Sequence, residues 1–429
     1  MANTTLSITY GSAGNKNKWT WSAWVKRSKL GGHQSLFSRY ADGNNIGDLR
    51  FQSDDGFTYQ NYNNGSTNAQ WNASQKFRDT NAWYHIVFVW DTGQATASDR
   101  IKVYVNGENM AGSANAVPAQ NTNSLINASA THKIGSRNSD QYFDGSMTHI
   151  HFCDGYAYSP TDFGEYDANG VWKIKTSPSV SYGTNGFFIL KDGNSVTDQS
   201  GNGNNFTVGG GTLTNTEDNP SNVFATLNPL NYTSSAVSYS NGNTKGTYPG
   251  TWIASQGTIG GMTGKYFWEA KVNSGNDANL FYGICRPNID LDTSPQNQTG
   301  VICQHILGDR YVDGTYTAST AETLANGDIL GVALDLDSAT KTVKFYKNGT
   351  LLSSGSSINL TSTYDNEFVL PFFAGNNSSA SSIWETNFGN GYFSSTAVAS
   401  AGTNASGNGI FEYDVPTGYT ALSTKGLNL

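Results

Sequence analysis

Ile101-Lys102-Val103-Tyr104-Val105-Asn106-Gly107 is the stretch on which the reading of the fold turns. β-Branched and aromatic residues alternate along it and then meet Asn-Gly, the pair that tolerates positive φ at both central positions of a two-residue hairpin. The pattern returns almost position for position in Val343-Lys344-Phe345-Tyr346-Lys347-Asn348-Gly349. Each half therefore closes a strand with the same turn chemistry, which suits two related sandwich architectures without requiring a recent duplication.

Working outward from the first copy, Trp19, Trp21 and Trp24 are interleaved with Thr20, Ser22 and Ala23, the pattern of a strand with large aromatics on one face. Residues 83–90, 132–135 and 147–152 supply further strands. Around the second copy the clearest strands are 265–272, 281–285, 329–336, 342–346 and 368–373. Trp21, Trp24, Trp90 and Trp268 read as core. The expected fold is all-β, with two antiparallel, jelly-roll-like β-sandwiches in series. Residues 1–175 form the first, 176–230 a connector carrying a strand such as 187–190, 231–395 the second, and 396–429 a tail packed on a neighbouring domain or subunit.

Composition agrees with many short strands and tight turns. The 429 residues include 48 Gly and are 13% aromatic but only 14% charged, so hydroxyls and amides must cover the outer strand faces. A net charge of −8 with no basic stripe offers a nucleic acid backbone no counterpart. No apolar run approaches a membrane span, and the opening Met1-Ala2-Asn3-Thr4-Thr5 has neither the basic nor the apolar region of a signal peptide. Synthesis and folding in a cytoplasm are expected. Cys153, Cys285 and Cys303 are odd in number, lie in or beside apolar runs and read as reduced thiols.

Enzymatic patterns are thin. Sandwich glycosidases hold two carboxylates on one strand face at i, i+2 or i+4. Among eight glutamates, Glu165 and Glu412 each have an aspartate two residues on, Asp167 and Asp414, but neither is followed by a second glutamate, and both pairs sit in turn-like sequence. His149 and His151 share a face by period-2 spacing and read as the polar side of a strand. Two oxygen-rich turns, Asn288 with Asp290 and Asp292, and Asp198 with Asn202 and Asn204, have ligands suited to calcium but no known calcium-loop spacing, so Asx-turns are favoured. No catalytic residue, metal or cofactor is assigned, calcium being possible but not favoured.

Two family resemblances follow from these residues. Residues 19–152, with Trp83-Tyr84-His85-Ile86-Val87, the Val103 to Gly107 hairpin and Lys133-Ile134-Gly135-Ser136, resemble a concanavalin A-like, laminin G-type domain. Residues 231–395 resemble a SPRY domain through Lys265-Tyr266-Phe267-Trp268-Glu269, Tyr282-Gly283-Ile284, Gly327-Asp328-Ile329-Leu330-Gly331-Val332, the second hairpin, and Leu370-Pro371-Phe372-Phe373. Recognition through loops rather than turnover is what the SPRY resemblance implies. The combination is similar to virion structural proteins of marine tailed bacteriophages, through Asp162-Phe163-Gly164-Glu165, Val171-Trp172, residues 224–230 and Pro416-Thr417-Gly418-Tyr419.

That resemblance implies a non-enzymatic virion surface protein, made in the bacterial cytoplasm, acting as a fibre, tail or capsid-decorating component that binds host-surface glycan or another envelope polymer through sandwich loops. A structural cement role and a polysaccharide depolymerase are the alternatives. Partners would be other virion proteins and the glycan, without nucleic acid or membrane insertion, in a homo-oligomer with a trimer as first expectation. Sugar recognition needs an aromatic plane beside amides or carboxylates. The candidates are Tyr59, Tyr62, Trp71 and Asn72 in the first domain, with Tyr248, Trp252, Asp309, Tyr311, Asp313 and Tyr316 in the second.

Overall fold

Both Asn-Gly turns form. Asn106 and Gly107 stand at φ 49° and 87°, Asn348 and Gly349 at 46° and 79°, as a type I′ turn requires. Each asparagine also accepts, at its Oδ1, the backbone N–H of a residue on the strand alongside the hairpin, His85 in one half and Ile329 in the other, both at 2.8 Å. Its own N–H donates to the carbonyl of that same residue. Asn106→Ala should cost about 2 kcal/mol, because alanine resists positive φ and the His85 N–H loses its acceptor. Asn106→Gly should cost about half as much, and the same order should hold at Asn348, measured by denaturant unfolding. Equal costs for Ala and Gly would refute this account.

The computed structural model describes residues 3–231, 233, 237–273, 279–317, 322–352, 357–376 and 382–429. The chain is all-β and divides into two compact units, Met1–Asn215 and Thr216–Leu429. No helix among the described residues is long and apolar enough to cross a membrane.

In the first unit the strands are β1 (Thr5–Thr9), β2 (Lys18–Arg27), β3 (Gln34–Asp42), β4 (Asn45–Phe51), β5 (Gly56–Asn63), β6 (Ser66–Lys76), β7 (Trp83–Asp91) and β8 (Ile101–Val105). They continue as β9 (Glu108–Asn109), β10 (Gly112–Ala116), β11 (Thr131–Ile134), β12 (Gly145–Asp154), β13 (Gly164–Tyr166), β14 (Trp172–Ile174), β15 (Phe187–Ile189) and β16 (Thr207–Gly209). One sheet runs β10-β6-β5-β4-β3-β11-β1-β16 and the other β15-β12-β2-β7-β8-β9. Between them Trp19, Trp21, Tyr59, Phe88 and Trp90 are fully buried, with Trp19 stacked 5.3 Å from Phe88 and edge-on to Tyr59. Trp24 is buried too, but on the opposite face of β2, stacked 5.0 Å from His85. Alternation accounts for Trp19 and Trp21 only.

The second unit contains β17 (Ser238–Ser240), β18 (Lys245–Tyr248), β19 (Ile253–Gln256), β20 (Lys265–Val272), β21 (Leu280–Cys285), β22 (Val301–His305), β23 (Arg310–Val312), β24 (Thr315–Thr317) and β25 (Ile329–Asp335). After these come β26 (Thr342–Lys347), β27 (Thr350–Leu351), β28 (Ile358–Asn359), β29 (Leu370–Gly375), β30 (Ser382–Asn387), β31 (Tyr392–Phe393), β32 (Thr396–Ala397) and β33 (Thr420–Ala421). One sheet follows β17-β18-β30-β20-β25-β26-β27, and β19-β29-β21-β22-β23-β24 faces it across a core holding Trp268, Tyr282, Phe345, Phe373 and Trp384.

Each unit seals one outer sheet face with the chain that follows its sandwich. In the first, residues 155–182 cross β12, β2 and β7, burying Phe163 and Trp172. In the second, Phe411 packs 5.1 Å edge-on to Phe267 of β20, and β33 pairs parallel to that strand. Both straps set a ring against an Asn-Gly turn. A Cβ on Gly107 would lie 2.7 Å from Trp172 Cε3, and one on Gly349 2.7 Å from Tyr413 Cδ1.

The boundaries differ from the sequence expectation. The 176–230 stretch is divided, not a separate connector: β15 and β16 pair with β12 and β1 of the first unit, while Phe224, Ala225 and Leu227 enter the core of the second. Residues 396–429 belong to the second unit, because Phe411, Val415, Tyr419 and Leu422 complete its core.

Candidate functional site

Strand pairing in the first unit sets polar side chains side by side on the outer face of the eight-stranded sheet. Counting outward from the Asn64-Gly65 turn, residues 58, 60 and 62 of β5 face away from the core, and 57, 59 and 61 face into the unit, Phe57 and Tyr59 being core. Three transverse rows result. Tyr40, Ile46 and Tyr62 form one; Ser38, Asp48, Gln60 and Gln70 the next; Ser35, Arg50, Thr58, Asn72 and Ser113 the third. The side over β3 and β4 is covered by residues 136–141, whose carbonyls accept from Ser38 Oγ and the Ser35 N–H. Toward β5, β6 and β10 the face opens, with Gln60, Tyr62, Gln70 and Asn72 half-buried and Ser113 exposed.

This face is held in place by its own bonds. Asp48 is fully buried and accepts Ser35 Oγ at 2.6 Å and Arg50 Nη1 at 3.1 Å. Burial pushes its carboxyl up, against the pull of Arg50. Arg50 Nη2 reaches Gln60 Oε1 at 3.3 Å. Asn72 Oδ1 accepts Thr58 Oγ1 at 2.8 Å and Gln52 Nε2 at 3.0 Å. The nearby His33 imidazole is pushed down by partial burial and by the guanidiniums of Arg50 and Arg137.

Of the ten sequence candidates, Tyr62 and Asn72 lie here. Tyr59 and Trp71 do not: they are paired directly across β5 and β6, but both rings point into the core, Tyr59 at 0% and Trp71 at 8% exposure. Reading that segment as a loop missed the Asn64-Gly65 turn, from which the register of both strands follows. Gln60, Gln70 and Arg50 escaped notice for the same reason.

In the second unit a row of rings crosses the outer face of the β19 to β24 sheet. Trp252 stands 5.5 Å edge-on to Phe281, which lies 4.5 Å from His305 and 5.9 Å from Tyr311, and Tyr311 lies 5.4 Å from Tyr316. Tyr316 is 55% exposed and its hydroxyl donates to Asp309 Oδ1 at 3.3 Å. Trp252, Asp309, Tyr311 and Tyr316 are thus brought together. Asp313 sits in the β23 to β24 turn and accepts the Gly300 N–H at 2.7 Å and the Thr363 hydroxyl at 2.9 Å, with Thr361 also bonded, so its carboxylate joins loops. Tyr248 is core at 1% exposure.

The other polar motifs are structural. Asp198 accepts the N–H groups of Phe188, Ser200 and Asn204 and the Ser200 hydroxyl, and Asp290 accepts from Asp292 and Thr293; both are turns closed on themselves. Among the described residues no three His, Cys, Asp or Glu side chains gather as a metal site would require. His149 and His151 are not a solvated strand face: a bulge puts His149 at φ 49°, and His151 is buried under the first strap.

Two antiparallel sandwiches in series define the class of the fold. Residues 2–162 match the concanavalin A-like lectin/glucanases superfamily, and residues 265–390 match the SPRY domain. The chain therefore carries a concanavalin A-like domain followed by a SPRY domain. Similar solved structures include the SPRY domain of human HERC1 (18% identity, 37% of this chain and 96% of that one, TM-score 0.30) and a heptameric SAP-like pentraxin from Limulus polyphemus (19%, 37% and 72%, 0.28). Domain 4 of AbnA, an extracellular arabinanase of Geobacillus stearothermophilus solved with arabinotriose, is another (23%, 36% and 72%, 0.27). No curated protein matches the chain.

Proposed function

We propose that the protein is a non-enzymatic component of a virion surface that binds host-surface glycan or another envelope polymer through the outer face of the eight-stranded sheet. One observation carries the reading: β4, β5 and β6 each place hydrogen-bonding side chains in the same transverse rows, fixed by the Ser35-Asp48-Arg50-Gln60 network. Adjacent strands lie about 4.8 Å apart, close to one ring of an extended sugar chain. Tyr62 and Tyr40 flank the rows with the apolar surface that sugar C–H faces need. Hydrolysis calls for a second carboxyl beside Asp48, and the rows supply amides and hydroxyls instead. The name of the arabinanase domain, solved with a trisaccharide, is compatible with this reading. Several copies in a homo-oligomer, with a trimer as the first expectation, would add avidity to weak single sites.

Gln70→Ala and Asn72→Ala should each weaken binding about tenfold, the value of one lost hydrogen bond, leaving the fold unchanged. Binding to a glycan array and adsorption to host cells measure this. A protein that binds no glycan, or binds equally well with both amides removed, refutes the reading. The ring row from Trp252 to Tyr316 favours a second reading, a cement or decoration role against a protein neighbour, since aromatics are enriched at protein interfaces. Loss of particle assembly on Tyr316→Ala with intact adsorption would select it.

A further inference from the structure

The first strap lies on a layer of histidines. His85 Nδ1 accepts the Trp172 indole N–H at 3.0 Å, so that nitrogen carries no proton, and Nε2 lies 2.9 Å from Ser22 Oγ. His151 Nδ1 is 2.9 Å from the Tyr182 hydroxyl, and its ring stacks 3.9 Å from Phe188 and lies tilted 5.1 Å from Phe163. His149 bonds Thr148 Oγ1 at the bulge. His85 and His151 are 1% and 2% exposed. The strap therefore rests on two buried imidazoles, and on His85 the nitrogen that would take a second proton is already occupied by the Trp172 N–H.

Among the described residues no carboxylate bonds either imidazole. On the sheet side, the charged and titratable groups of the same face are Lys18 and Lys26 of β2, Asp91 of β7, which is paired with Lys18 at 3.3 Å, Lys102 and Tyr104 of β8, and Cys153 of β12. The strap contributes Tyr156, Tyr158, Asp162, Glu165, Tyr166, Asp167, Lys173, Lys175 and Tyr182; Asp162 is bonded to its own Ser159 cap, Tyr166 to Glu108, Asp167 to Lys173, and Lys175 to the Thr161 carbonyl. Beyond β15, Asp192 acts on His149 at longer range, opposed by Lys191. Burial drives the His85 imidazole down to about 3 and His149 to about 4, and pushes His151 well down.

We propose that residues 155–182 are an acid-released cover: protonation of His85 and His151 detaches the strap and uncovers the apolar face of Val87, Val89 and Cys153 before the sandwich itself unfolds. The bond from Trp172 cannot survive a proton on His85 Nδ1, and a charge on His151, 2% exposed, carries a burial penalty that opening relieves. A histidine free in solution titrates near 6.5. Below that value each buried histidine favours the open state roughly tenfold per pH unit, and two together roughly a hundredfold, until the depressed value is reached.

Cys153, buried beneath the strap, reports the event, and Cys285 and Cys303, buried in the second unit, are internal controls. The full-length protein is labelled with a pyridyl disulfide across pH 7 to 4, each rate normalised to an unfolded thiol at that pH. The expected result is Cys153 labelling that accelerates roughly a hundredfold per unit below pH 6, with the other two thiols silent. His85→Gln, which keeps both bonds, or His151→Phe, which keeps the stacking, should each cut the slope to roughly tenfold per unit. A flat Cys153 profile, simultaneous reaction of all three thiols, or an unchanged slope in the folded variants overturns the proposal. If a variant fails to fold, the wild-type slope alone decides.

Discussion

Replacing Arg27 with methionine is expected to destabilise the first unit by about 3 to 5 kcal/mol, the penalty for leaving a buried charge without its partner. Arg27 is fully buried, and it donates from Nη2 to Asp55 Oδ1 at 3.1 Å and from Nη1 to the Phe77 carbonyl at 2.7 Å. Its guanidinium also lies 4.5 Å above the Phe51 ring. Methionine keeps most of the volume and removes the charge, so a large loss reports electrostatics and not a cavity. Asp55, at 6% exposure, would retain only the Gly31 N–H and the more exposed Arg78. Adding Asp55→Asn should then cost less than it does in the wild type, a coupling that a double-mutant cycle by denaturant unfolding resolves. A single-mutant loss below about 1 kcal/mol, or strictly additive losses, would show that the pair is not what holds β2 to the β4-β5 corner.

How far the sequence discloses this fold depends on whether the signal is local. The Asn-Gly turns, the aromatic strands and the SPRY-like segments are local, and they form where expected. Trp24 and His85 were harder, because which face of β2 is core depends on a strap more than a hundred residues downstream. The same holds for the straps themselves. Asp162-Phe163-Gly164-Glu165, Val171-Trp172 and Pro416-Thr417-Gly418-Tyr419 lack strand periodicity, since their residues are chosen to fit a preformed face and not to alternate between two. At the candidate site, Tyr62 and Asn72 lie on the open sheet face. Tyr59, Trp71 and Tyr248, candidates by residue type, are core instead, because an aromatic beside asparagines looks identical inside and outside until the register is known.

Glu269 anchors the second strap, and its titration should act in the opposite sense to the histidines under the first. The carboxylate is 1% exposed; Oε2 accepts the Glu412 N–H at 2.9 Å and Asn387 Nδ2 at 3.2 Å, and Oε1 accepts the Tyr413 N–H at 2.9 Å. Burial outweighs these three donors and pushes the group up to about 7, from an ordinary value near 4.5. Between those values the folded state holds a proton that the unfolded state has released, so stability contributed by this group falls as pH rises. The full difference is about 3 kcal/mol, complete above pH 7 and absent below about pH 4.5. Glu269→Gln keeps an acceptor oxygen and cannot titrate, so the stability gap between wild type and variant should shift by that amount across pH 4 to 8, in favour of the variant at high pH. Denaturant unfolding of the full chain, followed by exposure of Cys285 and Cys303, reads the second unit selectively. A gap that stays constant with pH would mean that the three donors, and not burial, govern the carboxyl, and that the strap is held by an anion at every pH.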